Sequence, residues 1–178
     1  MSSNRKVLQA DLPLESGTQA LLALSSLQSP VELLPPAASR NLIVVSSEAS
    51  ATIADQLSAV GTDLGTVAHV PVSGAETGYD GPMWTCDPLV PDDLTGLSMR
   101  LSRAFAALGD AGGYLLVENL NVFLLYAAQA RVIRFLDHLT GLASDHGITG
   151  IYALVGDAVE SETYDRLRLS VDTEIGRR

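Results

Sequence analysis

The stretch LIVVSSEASATIADQLSAVGTDL, residues 42–64, changes character partway along. It opens with Leu42–Ser46, a run rich in β-branched residues that reads as a strand. From Ala51 the pattern switches: Ile53, Leu57 and Val60 recur at helical spacing. Gly61 then stands where a left-handed cap would end that helix. The strand is apolar along its length rather than alternating, so both of its faces are expected to be covered. A covered strand feeding a helix is the repeating unit of a parallel α/β sheet.

On either side of this stretch the same unit recurs. Strands are predicted at Gln19–Leu24, 67–72, 114–118, Ile148–Val155 and 170–175. A helix is predicted from Asp92 or Asp93, either of which can cap it, to about Leu108, with Leu97, Leu101, Ala104 and Leu108 on one face. A second covers 129–146, with Val132, Ile133, Leu136, Leu139 and Leu142 as its stripe, and a short third covers 161–169. Residues 73–91, SGAETGYDGPMWTCDPLVP, hold three glycines and three prolines and read as loop. Residues 1–15 read as a flexible arm, and 29–40, with Pro35-Pro36, as a linker. The expectation is one α/β domain over 16–178, with a mostly parallel central sheet and helices on both faces.

Composition agrees with a single folded unit. A chain of 178 residues, 47% of them apolar, is long enough for a sizeable core. Its apolar runs are too short to span a bilayer, and the first residues lack the apolar stretch of a secretory signal. A cytoplasmic protein without a membrane partner is expected. Cys86 is the one cysteine, which excludes an internal disulfide and a Cys-rich metal site; it reads as an inert small apolar residue. The net charge is −10, and Lys6 is the one lysine among the eleven basic residues. Surface carboxylates of this kind suit a salt-rich archaeal cytoplasm, where their repulsion is screened. They argue against nucleic acid, because Arg100, Arg103, Arg131 and Arg134 are too few and too spread for a basic face.

The connection after the first strand decides what chemistry is open. A P-loop there would read G-x-x-x-x-G-K-[ST], since glycines let successive N–H groups converge on phosphates and the lysine neutralises them. The residues are Ser25-Ser26-Leu27-Gln28-Ser29-Pro30. There is no glycine and no lysine, and Pro30 removes a donor. Ser25, Ser26 and Ser29 offer hydroxyls alone. The stretch reads as a plain strand-to-helix connection. His69, His138 and His146 are not spaced to converge on a metal, and neither a Gly-x-Ser-x-Gly elbow nor a G-x-G-x-x-G fingerprint occurs.

Several segments taken together resemble the KaiC-like branch of the RecA ATPases. In that branch a strand ends in two glutamates and is followed by a helix and Gly-x-Asp-Leu; here the strand precedes Glu48, and Gly61-Thr62-Asp63-Leu64 follows the helix. YLLVENLNVFLLY (114–126) is similar to its Walker B strand, written apolar-apolar-Asp-Ser-Leu-Ser. PDDLTGLSMRLSRAF (91–105) and RVIRFLDHLTGLASDHGITGIYAL (131–154) resemble the elements on either side. The likeness runs over 17–175 and is that of a group of uncharacterised haloarchaeal, RecA- or KaiC-like proteins lacking a P-loop.

The resemblance implies a RecA-like sheet and a degenerate nucleotide site at Ser25, Ser26, Ser29, Glu48 and Glu118. Glu48 holds the place of the second glutamate, which polarises water in active relatives; Ser47 replaces the first. Glu118 stands where Walker B carries its magnesium-holding aspartate and is one methylene longer, while Asn119 and Asn121 replace serines. On their own terms, Glu48 reads as a helix-start carboxylate favoured by the macrodipole, and Glu118 as an acid at a strand end. The implied protein is a pseudo-ATPase with no cofactor, a regulatory or adaptor protein working through contacts with another protein or a second copy. The alternative is a nucleotide-binding switch that binds ATP weakly with little hydrolysis. Met83 and Trp84 in the long loop, and Phe123 and Tyr126 after the Walker B-like strand, are interface candidates; local core is the other reading of each.

Overall fold

The computed structural model describes residues 14–26, 28–72 and 78–176. Nearly all of the expected arm, 1–13, therefore lies outside the described residues. Seven strands form one sheet: β1 (Gln19–Leu24), β2 (Leu42–Ser46), β3 (Val67–Pro71), β4 (Trp84–Thr85), β5 (Gly113–Val117), β6 (Ile148–Val155) and β7 (Thr173–Ile175). Their order is β4-β3-β2-β5-β6-β1-β7, and every pairing is parallel. The helices are α1 (Ser50–Ala59), α2 (Leu94–Leu108), α3 (Leu120–Tyr126), α4 (Gln129–Asp145) and α5 (Ser161–Arg168).

Successive side chains of a strand point to opposite faces, and here both faces are apolar. Leu21, Ala23, Ile43, Val45, Leu115 and Val117 face one core, closed by Leu97, Leu101 and Phe105 of α2, Val132, Leu136 and Leu139 of α4, and Tyr164 and Leu167 of α5. Ala20, Leu22, Leu42, Val44 and Leu116 face the other, closed by Ile53, Ala54 and Leu57 of α1. Strand β1, buried at every residue, lies between β6 and β7.

Three elements depart from the sequence expectation. Residues 29–40 are not a linker: they form two 3-10 turns, Val31–Leu33 and Pro36–Ser39, that press Val31, Leu34 and Ala38 into the second core. The prolines prevent a regular helix there without preventing apolar burial. Residues 120–126 form helix α3, whose N–H at Asn121 is capped by the Asn119 side chain at 3.0 Å. The long loop contributes β4, paired with Ala68 and His69 at the sheet's edge. Gly113 is fixed by a close approach: a Cβ there would lie 2.4 Å from the Asn41 carbonyl oxygen.

Candidate functional site

Strands β2 and β5 are neighbours, yet the chain leaves them toward opposite faces, β2 into α1 and β5 into α3 and α4. Such a divergence opens a crevice at the carboxyl ends of the strands, the usual ligand position in parallel sheets. Glu118 follows β5, its N–H donating to Val45 O at 2.9 Å. Glu48 follows β2, its N–H donating to Ser46 Oγ at 3.3 Å. The two carboxylates are close enough to repel. Burial first, and Glu48 second, push the Glu118 carboxyl up to about 7, while hydrogen bonding with Ser46 opposes the rise. Glu118 Oε2 is buried and has no hydrogen-bond partner. Glu48 itself is exposed.

Behind this pair runs a buried polar chain. Ser46 Oγ lies 2.7 Å from His69 Nε2, and Ser50 Oγ lies 2.8 Å from His69 Nδ1. Ser50 Oγ is in turn 3.2 Å from Thr85 Oγ1. Ser46, Ser50 and His69 are buried, so these bonds replace the water the groups would otherwise hold. The tautomer of His69 sets the direction of the chain, since a neutral imidazole donates from one nitrogen and accepts at the other. With Glu118 ionised, Ser46 donates toward the carboxylate and accepts from Nε2–H, and Ser50 then donates to Nδ1. With Glu118 protonated, every bond can reverse. Asn121 also serves the sheet: Val155 N–H donates to its Oδ1 at 2.9 Å.

The end of β1 is built differently. Gln28 closes a tight turn on Ser25: its N–H donates to Ser25 O at 3.1 Å, and its Oε1 accepts from Ser25 N–H at 3.4 Å. The Ser25 N–H is thereby turned to a side chain within the loop. Ser26 is exposed, and Ser29 Oγ is buried without a hydrogen-bond partner. The next element is a 3-10 turn rather than an α-helix, which corrects the expected strand-to-helix connection. The sequence-predicted positions therefore form two groups, Glu48 with Glu118 at β2 and β5, and the three serines at β1.

The family model of a family of unknown function, DUF7504, matches residues 31–176. The chain belongs to this family. The match starts after β1 and takes in the two glutamates, the polar chain behind them and all five α-helices. Among solved structures, the chain resembles a KaiC-like protein from the hyperthermophilic archaeon Pyrococcus horikoshii OT3, with a TM-score of 0.62 at 12% identity, covering 95% of this chain and 78% of that one. At that identity the likeness is one of fold: a KaiC/RecA-like α/β domain with an all-parallel sheet. No curated protein sequence matches the chain.

The interface candidates divide. Met83 and Phe123 are buried, Met83 in the second core and Phe123 against Phe135 in the first, so neither presents a surface. Trp84 and Tyr126 are 58% and 63% exposed. His146 stacks obliquely near Phe105, and its Nδ1 bonds Leu142 O at 2.9 Å. Among the described residues no three His, Cys, Asp or Glu side chains gather as metal ligands, and no helix is long and apolar enough to cross a membrane. Sequence reasoning missed Ser46, Ser50, Thr85 and the role of His69. The available signal was a histidine in an otherwise apolar strand, which must find partners once buried.

Proposed function

We propose that this chain is a non-catalytic domain of KaiC/RecA-like fold that works as a regulatory or adaptor protein through protein contacts. The observation that carries this reading is the β1–β2 crossover. Among its described residues it holds two 3-10 turns and three prolines and no α-helix, so no row of helical N–H groups and no helix dipole stand there behind β1 to receive a phosphate. The crevice at β2 and β5 supports the same reading. Glu48 and Glu118 have no ion-pair partner among the described residues, and a polyphosphate would meet their repulsion there. Leu125 and Tyr126, 79% and 63% exposed at the end of α3, offer apolar surface for a second chain. The acidic composition fits a halophilic archaeal cytoplasm.

The test is phosphate release from ATP with magnesium in molar KCl. No turnover above buffer is expected. Turnover that Glu48→Ala abolishes would overturn the proposal. A melting shift with ATP and magnesium but no turnover would instead favour a nucleotide-binding switch.

A further inference from the structure

On the α2 face, the β3–β4 edge of the sheet and α2 enclose a cavity of about 630 Å³. That is the size range of sites for small organic ligands. Its origin is a run of small side chains. Ala68 on β3 faces Ala104 and Ala107 on α2, where larger residues would have filled the space. Ile43, Val70, Leu108 and the ring of Trp84 complete an apolar wall. Leu97, Leu101 and Phe105, on the neighbouring stripe of the same helix, are fully packed. The helix thus turns one stripe to the core and another to the cavity.

Two cations, Arg100 and Arg103, and one acid, Asp87, edge this cavity in a chain whose net charge is −10. Arg100 is already held, its Nη1 donating to Cys86 Sγ at 3.0 Å and to the Asp87 carbonyl oxygen. Arg103, one turn further along α2, is exposed and has no hydrogen bond or ion pair among the described residues. An apolar trough with an unpaired guanidinium at its mouth complements one chemistry: an apolar body ending in a single anionic group. A guanidinium binds a carboxylate in forked geometry, and the apolar wall supplies the area.

We infer that this cavity binds a free amphipathic monoanion of the medium-chain carboxylic acid type, with its apolar part against Trp84, Ala68 and Ala104 and its carboxylate on Arg103. Trp84 is the one tryptophan in the chain, so its fluorescence reports on the site directly.

The experiment titrates the full chain, at a KCl concentration where its far-UV signal is native, with potassium decanoate below its micelle concentration. A parallel titration uses decyltrimethylammonium, which has the same chain and the opposite charge. A saturable blue shift of Trp84 emission with decanoate is expected, with an affinity at least tenfold above that for the cation. Arg103→Glu should weaken decanoate at least tenfold with its far-UV signal unchanged. Ala104→Phe, which fills the trough, should abolish the shift, and Ala104→Ser should keep it. Three results would each overturn the inference: no saturable shift with decanoate, equal response to both amphiphiles, or unchanged binding in Arg103→Glu.

Discussion

The two crossovers that leave β1 and β2 start from equivalent ends of the same parallel sheet and are built in opposite ways. After β2, the chain turns through Ser47 and Glu48 into α1, and it places Ser46 and Ser50 on the two nitrogens of His69. After β1, it folds on itself through Gln28 and runs through Pro30, Pro35 and Pro36 in short 3-10 turns. Both bury apolar side chains in the same core, Val31, Leu34 and Ala38 from one and Ile53, Ala54 and Leu57 from the other. Covering a sheet therefore needs only apolar side chains at the right places, whereas aiming backbone donors at a ligand needs a helix terminus. The β1 crossover keeps the covering role without the second.

Each side of this contrast can be tested by substitution. The largest effect is expected in α1: Leu57→Ala, at a site with no exposure, should cost about 4 kcal/mol in denaturant unfolding. A loss below about 1 kcal/mol would mean that α1 does not anchor its crossover. Next comes Glu118→Gln. Burial raises the folded pKa from an ordinary 4.5 to about 7, so the native state binds this proton more tightly than the unfolded chain. Stability from this group is therefore full at low pH and is lost as pH rises from about 4.5 through 7, by up to about 3 kcal/mol. Glu118→Gln should raise the thermal midpoint at about pH 8 and change it much less at about pH 5. An equal change at both would show that Glu118 is not buried in this way.

Smaller still, Val31→Ala should cost about 2 kcal/mol, because its side chain is fully enclosed although its crossover has no regular helix. A cost near zero would restore the linker reading of residues 29–40. The smallest effect is spectroscopic. Nitrogen NMR of the His69 imidazole should show the proton on Nε2 above about pH 7 and on Nδ1 below it, as Glu118 takes up its proton. A ring state constant from about pH 5 to about pH 9 would uncouple His69 from the carboxyl.

The sheet was legible because its strands carry near-continuous apolar runs, such as LIVVS in β2 and ITGIYALV in β6, which only a doubly covered strand can bury. Helices α2 and α4 were legible from stripes of leucine and valine at helical spacing. Helix α3 was not, because seven residues give barely two turns of pattern. The two-residue β4 has no pattern at all, and only the edge of β3 makes it a strand. The Ser46–His69–Ser50–Thr85 chain was hidden for another reason. Its members are common small polar residues scattered over four elements, and only the parallel register brings them together. The prolines of 29–40 correctly signalled the lack of an α-helix and wrongly suggested a lack of packing, since proline forbids a hydrogen-bond ladder and not an apolar contact.

The place of β1 between β6 and β7 bears on how the chain is made. Its six residues precede the other strands, and both of its neighbours follow β5 in the chain. At ribosomal rates of ~5–20 residues per second, roughly 130 residues must follow β1 before β6 is complete, a wait of about 7 to 26 s. Through that interval QALLAL has unpaired edges and no apolar cover from its final partners. The nascent chain therefore carries an adhesive segment until the residues through β6 have followed it out of the ribosome. The remaining sheet, β2 with β3 and then β5, can assemble in order while it waits.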